Sequence, residues 1–233
     1  SSRVTSNILS IVDDNFGIFK RDKEIAKSLS ESKKISGWPT WITVSTSKVN
    51  KDQVLDSLLP LRDSLQVSAS LQSMDPDTLE NVKRKNLTFA EFEIMMEKMS
   101  SSSMNTMTEL IMPLPGETKK SHLEALEKTI EVGIDEICSY TSMLLPNTPM
   151  QESDTYDKFN MTKKYRVLPR DYGIYFGNKI IETECVCVAN SSMTFEEYKQ
   201  LRGLYFVIYS YYNLKTLKEI VSYLRWVNVS IFG

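Results

Sequence analysis

Five short runs of apolar and β-branched residues alternate with longer helical stretches over the first two-thirds of the sequence. The predicted strands cover residues 8–13, 41–46, 65–71, 107–112 and 136–142, and the predicted helices cover 21–35, 51–62, 76–84, 88–99 and 121–132. Consecutive parallel strands need a crossover, which is usually a helix, so this alternation predicts a parallel α/β sheet or barrel.

The rhythm of the sequence changes after Pro146. Residues 147–178 are polar and irregular, which is typical of a connector or a lid, and a β-like run and an aromatic-rich helical region follow them. We therefore expect a barrel domain over 1–146, an irregular connector or lid over 147–178, and a C-terminal strand and helical extension over 179–233.

The composition narrows the range of partners. A formal net charge of -2 over 233 residues gives no overall attraction to nucleic acid or to an anionic membrane. The three cysteines, Cys138, Cys185 and Cys187, are too few for a disulfide framework, and no apolar run is long enough for a membrane span. We expect a cytoplasmic protein with no nucleic-acid and no membrane partner.

Polar side chains fall on one face of the predicted strands, mostly towards the strand ends. Alternation puts Ser68, Ser70 and Gln72 on one side of the third strand, while Glu109 and Tyr140 lie within the fourth and fifth. Ligands of parallel α/β proteins gather at the carboxyl ends of the strands, so these side chains predict a polar ligand site there.

Glu109 stands out among them because a carboxylate inside a parallel strand must be paired or hydrogen-bonded. Two alternatives stay open: a structural ion pair with Arg84 or a lysine, and contact with the ammonium group of a ligand. The single histidine, His122, falls in the first turn of a predicted helix, and we expect it at the surface rather than in a catalytic role.

Four segments in order carry a family resemblance. They read "DDNFGIFKRDKEIA", "SLQSMDPDTLENVKRKN", "TELIMPLPGET" and "YRVLPRDYGIY". Together they resemble the catalytic region of radical S-adenosylmethionine (radical SAM) enzymes, and most closely the subgroup that carries a cobalamin-binding domain before the catalytic barrel. The resemblance extends over residues 8–205.

The resemblance implies a fold and a set of cofactors. The fold is a partial (β/α)6 TIM-like barrel, here without its first βα unit, that binds S-adenosylmethionine at the carboxyl ends of its strands. In the family, a four-iron four-sulfur cluster ([4Fe-4S]) on a Cys-x-x-x-Cys-x-x-Cys loop reduces the cofactor and yields a 5′-deoxyadenosyl radical. The subgroup adds cobalamin and methyl transfer, and an electron donor such as flavodoxin or ferredoxin is implied.

The resemblance also implies roles for individual residues. Gln72, Arg84 and Glu109 match cofactor contacts of the family, and Ser68 and Ser70 are placed to reach the ribose of the cofactor. Asp13, Asp14 and Asn15 match a strand end at which the family contacts the methionyl amino group or the substrate. We also expect Tyr140, Arg166 and Arg170 at a small-molecule substrate, and the alternative for the connector that carries the two arginines is a structural strap across the bottom of the barrel.

The sequence departs from the family in lacking the three-cysteine cluster loop. One expectation is that the chain is the catalytic portion of a radical SAM enzyme whose first strand and cluster loop precede Ser1, with the methyl transfer that the subgroup resemblance implies; alone it would be inactive. The other is a cluster-less, non-catalytic binding or assembly module that uses the aromatic region 198–226 against a partner. We favour the first, because the cofactor-matching residues are intact, and sequence upstream of Ser1 would decide between them.

Overall fold

The structure is a computed structural model that describes residues 6–46, 50–68, 70–84, 88–102 and 104–232. The strands are β1 (Ile8–Phe16), β2 (Trp41–Thr46), β3 (Leu65–Ser68), β4 (Asn105–Met112), β5 (Glu136–Thr141), β6 (Thr162–Tyr175) and β7 (Asn178–Ala189). The α-helices are α1 (Lys20–Ser36), α2 (Lys51–Leu58), α3 (Pro76–Asn81), α4 (Phe89–Ser101), α5 (Lys119–Val132), α6 (Ser153–Lys158), α7 (Phe195–Val207) and α8 (Lys218–Trp226). A 3-10 helix (Leu59–Ser64) and a π-helical turn (Ile208–Asn213) continue α2 and α7.

Strands β1 to β5 form one parallel sheet in the order β1-β2-β3-β4-β5. Each strand lies beside the next one in the chain, as short helical crossovers require. This confirms the predicted α/β class with a mostly parallel sheet.

The hydrophobic core lies between one face of this sheet and the helices. Strand residues of the core include Ile42, Val67 and Leu110, and Phe92 and Leu126 reach it from α4 and α5. All five are almost completely buried. Burial of this apolar face fixes the register, because a one-residue slip would turn every core side chain to the opposite face.

The same register aligns polar side chains on the other face, which we call the polar face. Parallel pairing sets Ser45 beside Ser68, Ser68 beside Met107 and Met107 beside Glu136. Two residues further along β4, Glu109 lies beside Cys138. The sheet thus separates an apolar face that folds the chain from a polar face that is available for binding.

Asp22 organises the turn that leaves β1. Its carboxylate is buried and accepts hydrogen bonds from the N–H groups of Gly17 (2.9 Å) and Phe19 (3.0 Å). Gly17 has a φ of 103° and its Cα faces Val54, where an added Cβ would come within 3.1 Å, so a larger residue would be strained there. The carboxyl end of β1 is therefore held by a satisfied buried carboxylate.

An antiparallel hairpin, β6–β7, replaces most of the predicted irregular connector. The prediction that 147–178 is irregular is wrong for residues 153–158, which form α6, and for residues 162–175, which form β6 and pair with β7 over 162–167 and 172–175. The pairing shifts register between Val167 and Tyr172, a stretch that contains Pro169, which has no N–H to donate. The division of the chain into three domains stays a prediction.

The C-terminal region is helical, as its aromatic-rich pattern predicts, but it is interrupted at the π-helical turn. Leu201 and Tyr205 of α7 enter the main core, whereas α8 has no buried residue among those described. No helix in the described ranges has the length and apolar content to span a membrane.

Candidate active site

Three predicted site residues form one hydrogen-bonded chain on the polar face. The Ser70 hydroxyl donates to Oε2 of Glu109 at 2.6 Å, and the Ser68 and Ser70 hydroxyls lie 3.3 Å apart. Strand β3 and the residues just after it supply the two serines, and β4 supplies the carboxylate. Within the described residues no ion pair reaches Glu109, so the alternative of a structural ion pair with Arg84 is not borne out there.

A cavity of about 200 Å³ opens beside the hydrogen-bonded side chains of Ser68, Ser70 and Glu109. Hydroxyl, amide and carboxylate groups from four adjacent strands or their ends surround it, together with apolar atoms of Ile11, Val44 and Met107. The lining residues are Ser10, Ile11, Thr43, Val44, Ser45, Gln66, Ser68, Ser70, Met107 and Glu109. A pocket of this chemistry suits a ligand that is rich in hydroxyl groups or carries a positive charge.

A second carboxylate, Glu136 at the start of β5, lies on the polar face next to the cavity. Its Oε2 accepts a hydrogen bond from the Gln66 amide at 2.6 Å, and its Oε1 lies 3.5 Å from the Cys138 sulfur. Burial, then the charge of Glu136 and its hydrogen bond, and then the charge of Glu109 raise the pKa of the Cys138 thiol to about 12. Cys138 is therefore a protonated thiol at neutral pH.

Tyr140 follows Cys138 on the same strand, beside Ile111 of β4, and is 48% exposed. Partial burial, followed by electrostatic interaction with Cys138 and then by the charges of Glu109 and Glu136, raises the pKa of its hydroxyl. Since the two carboxylates act on it, Tyr140 belongs to the same electrostatic neighbourhood as the serine–glutamate chain.

We predict that Glu136→Gln makes Cys138 more reactive. With a pKa near 12, roughly one thiol in ten thousand is ionised at pH 8. Removing the Glu136 charge lowers this pKa and should raise the alkylation rate at pH 8 about tenfold, the effect of one pKa unit. Mass spectrometry of the Cys138 peptide after iodoacetamide treatment measures the rate, and exposed Glu93→Gln is the control. An unchanged rate in Glu136→Gln would contradict the assigned cause.

Gln72 continues the pairing of β3 with β4 through its backbone. Its N–H donates to the carbonyl of Glu109 and its carbonyl accepts from the N–H of Ile111, both at 2.8 Å. Its φ is 64°, a left-handed conformation that costs a residue with a side chain about 1 kcal/mol or more. The structure thus pairs Gln72 with Leu110 of β4 and holds it in a strained conformation of a kind often found at functional sites.

Among the side chains that it describes, the structure does not bring the other predicted cofactor residues into contact with Ser68, Ser70 or Glu109. Arg84 is exposed after α3, and among the described residues its side chain makes no ion pair. Asn15 is exposed at the end of β1, and its N–H donates to Oδ1 of Asp13. The side chain of Asp14 lies outside the described residues. Their roles stay predictions.

The predicted substrate residues of the connector lie on the β6–β7 hairpin. Arg166 forms an ion pair with Glu184 directly across the two strands. The side chain of Arg170 lies outside the described residues. The structure gives Arg166 a partner on the hairpin, and its predicted role towards a substrate stays untested.

The prediction that His122 lies at the surface is wrong, because its side chain is completely buried. Its Nε2 lies 2.8 Å from the Tyr205 hydroxyl, and its Nδ1 lies 3.2 Å from Oε1 of Glu117 at an angle that does not make a good hydrogen bond. Glu117, also completely buried, accepts a hydrogen bond from Ser73 at 3.0 Å. Ser73, Glu117, His122 and Tyr205 thus lie together as a row of polar groups inside the fold.

The described residues fit S-adenosylmethionine better than they fit a [4Fe-4S] cluster. The donors and acceptors around the cavity suit the ribose hydroxyls and the cationic part of S-adenosylmethionine. No group of three or more histidine, cysteine or carboxylate side chains in the described ranges could hold a metal ion, and the three cysteines lack the cluster spacing. The described part of this chain therefore does not provide the ligands of an iron–sulfur cluster.

A larger groove of about 560 Å³ lies between α2 and α4, on the helical side of the sheet. Its lining combines a few charged side chains with apolar ones, including Asp52, Glu91, Ile94 and Lys98. Lys98 already pairs with Asp52. We regard the polar face as the better candidate because hydroxyl, amide and carboxylate groups from four neighbouring strands converge on its cavity.

Comparison with known proteins adds relatives in sequence and in structure. No protein-family model matches the sequence. Over 157 residues, 66% of this chain, it is 32% identical to the cobalamin-dependent radical SAM methyltransferase TokK of Streptomyces tokunonensis. Over 146 residues, 61% of this chain, it is 33% identical to 2-(S-pantetheinyl)-carbapenam-3-carboxylate methyltransferase of Streptantibioticus cattleyicolor.

These matches cover 23% and 21% of the two relatives, so the chain corresponds to less than a quarter of each. In structure, 71% of the chain superposes on 33% of the radical S-adenosylmethionine methyltransferase TsrM from Kitasatospora setae, solved with tryptophan substrate and a SAM analog. The TM-score is 0.51 at 16% identity. This likeness concerns the fold alone.

Proposed function

The chain belongs to the radical S-adenosylmethionine superfamily, and on that premise we propose that it binds S-adenosylmethionine on its polar face as part of the catalytic portion of a cobalamin-dependent methyltransferase. The observation that carries the proposal is the hydrogen-bonded chain of Ser68, Ser70 and Glu109 beside a cavity of about 200 Å³. The sequence relatives support the reaction class.

The chemistry of the polar face matches the parts of this cofactor. Ribose hydroxyls donate well to a carboxylate, and Glu109 can accept such a bond in addition to the one from Ser70. The charges of Glu109 and Glu136 favour the positive sulfonium and ammonium groups of the cofactor. In our proposal the cofactor, when bound, supplies the radical chemistry, and the residues of this chain bind and orient it.

The remaining predicted residues complete the proposed site. The N–H of Gln72 donates to the backbone carbonyl of Glu109, and the Gln72 side chain is proposed to contact the cofactor at the strand end. Arg84 and Asn15, with Asp14, are proposed for the carboxylate and amino groups of the methionyl part. Tyr140 is proposed to face the substrate, with Arg166 and Arg170 of the hairpin approaching from outside.

The whole enzyme that we propose is larger than this chain. The five parallel strands are proposed to be part of a partial (β/α)6 TIM-like barrel whose [4Fe-4S] cluster is held by a segment other than the one described. We further propose a cobalamin-binding domain, a cytoplasmic location and an electron donor such as flavodoxin or ferredoxin. The methyl acceptor is a small molecule.

Binding of S-adenosylmethionine to the purified chain tests the proposal. Isothermal titration should give saturable binding at one site, and S-adenosylhomocysteine, which lacks the positive sulfonium, should bind more weakly because the polar face carries carboxylates. Arg84→Ala should weaken binding of S-adenosylmethionine by about tenfold or more if the arginine holds the cofactor carboxylate. Absence of saturable binding by the wild-type chain would refute the proposed site.

A further inference from the structure

The turn "LPGET" at residues 114–118, which the sequence pattern marks only as a turn, is joined to several distant parts of the fold. Asn190, at the end of β7, donates from its side-chain amide to the carbonyl of Leu114 at 2.8 Å. Asn81, at the end of α3, donates to the carbonyl of Pro115 at 3.1 Å. Gly116 adopts a φ of 90°, and a Cβ there would lie 2.5 Å from the Asn81 amide nitrogen.

Glu117 is the buried centre of this arrangement. Its Oε1 accepts from the Ser73 hydroxyl at 3.0 Å, and its Oε2 lies 3.5 Å from the N–H of Leu114. Burial of a carboxylate is unfavourable unless such donors compensate it, so the fold around Glu117 has to keep these donors in place. Ser73 is one of those donors, and it directly follows the strained residue Gln72.

Ser73 also forms hydrogen bonds to the residues that follow strand β3. Its N–H donates to the carbonyl of Leu71 at 2.8 Å, and its hydroxyl oxygen accepts from the N–H of Asp75 at 3.2 Å. Asp75 in turn caps α3 by accepting from the N–H of Thr78. One hydroxyl, oriented by Glu117, therefore joins the strand end to the start of the next helix.

We propose that Glu117 is a positioning residue that holds residues 71–75 in the conformation in which they bind S-adenosylmethionine; this inference rests on the proposed function. A left-handed residue such as Gln72 persists only where its surroundings over-determine it. The backbone bonds of Gln72 to β4 fix one side of the segment, and the Ser73–Glu117 bond fixes the other.

The other end of the network supplies a matched control. His122 lies between Glu117 and the Tyr205 hydroxyl of α7. The bond between His122 Nε2 and the Tyr205 hydroxyl is 2.8 Å long, and the tautomer of the imidazole decides which of the two atoms donates. Tyr205→Phe removes that last bond and keeps the buried ring, so it disturbs the same network without touching Ser73.

The test compares Ser73→Ala and Glu117→Gln with Tyr205→Phe. Amide hydrogen exchange of residues 71–75 is measured without ligand, and the affinity for S-adenosylmethionine is measured well below the unfolding midpoint of every variant. Loss of a hydrogen bond to a charged group should raise exchange at Gln72 about tenfold and weaken binding about tenfold in Ser73→Ala. Tyr205→Phe should change neither by more than about twofold, even where its melting temperature falls.

Two results would overturn the inference: wild-type exchange at Gln72 in Ser73→Ala, or an equal loss of affinity in Tyr205→Phe at a matched melting temperature. If Glu117→Gln does not fold, Ser73→Ala decides alone, because alanine fits the space of serine. If the wild-type chain binds no S-adenosylmethionine, the proposed function fails, while the exchange measurement still decides whether Glu117 holds the segment.

Discussion

Replacement of Glu109 by glutamine is expected to weaken the binding of S-adenosylmethionine by about tenfold to a hundredfold, the effect of losing one hydrogen bond to a charged group. The carboxylate accepts from Ser70 at 2.6 Å and lines the cavity of the polar face. Glutamine keeps the size of the side chain and one acceptor oxygen, but it removes the charge that favours the cationic cofactor.

Titration calorimetry measures this effect, and two features make the result specific. Glu93→Gln, on the exposed side of α4, removes the same charge away from the polar face and should bind like the wild type. Glu109→Gln should unfold at nearly the wild-type urea concentration, because no described ion pair is broken. Wild-type affinity in Glu109→Gln would remove this carboxylate from the site.

Phe92→Ala is expected to destabilise the protein by about 3–5 kcal/mol, the usual cost of emptying a buried phenylalanine site. Phe92 lies on α4, is 0% exposed, and belongs to the core between the helices and the sheet. Domains of this size are stable by only about 5–15 kcal/mol, so much of the folding free energy should be lost. Urea unfolding followed by circular dichroism measures it.

Phe206→Ala is the matched control, since Phe206 lies on α7 and is 72% exposed. It should change the free energy of unfolding by less than about 0.5 kcal/mol. Equal destabilisation by the two substitutions would mean that α4 does not pack on the sheet as described.

The sheet and its polar face could be predicted because their pattern is local. Alternating side chains place Ser68 and Ser70 together within a single strand, and helical stretches between strands indicate parallel pairing. Only the register between strands, which the core residues determine, shows that Ser70 meets Glu109 and that Glu136 lies beside Met107. The strand faces were therefore predictable, while the pairs of neighbours across strands were not.

The first strand of the hairpin, β6, was missed because it does not look like an ordinary half-buried strand, whereas β7 corresponds to the predicted β-like run. Both faces of the outer part of the hairpin are exposed, so the chain shows no clean division into a buried and a polar side. Pro169 and Gly173 also interrupt β6, and such residues usually mark a loop. The hairpin also depends on pairs across the two strands, such as Tyr165 with Cys185. Residues this far apart in sequence leave no local pattern that would predict their pairing.

No periodic pattern in the sequence predicts the buried polar network around Glu117. Ser73 and Glu117 are 44 residues apart, and His122 and Tyr205 are 83 apart. Helical position suggested the surface for His122, but α7 packs over that helix face and buries it. Tertiary packing, rather than local sequence, decides where such polar groups lie.

The central claim is that the end of β3 and the middle of β4 form the S-adenosylmethionine site, and a titration of the isotope-labelled chain followed by amide NMR tests it most directly. We predict that the amide signals of Ser70, Gln72 and Glu109 shift together and saturate at one ligand concentration. Saturating ligand that leaves these signals unchanged, or that shifts only residues of the groove between α2 and α4, would contradict the claim.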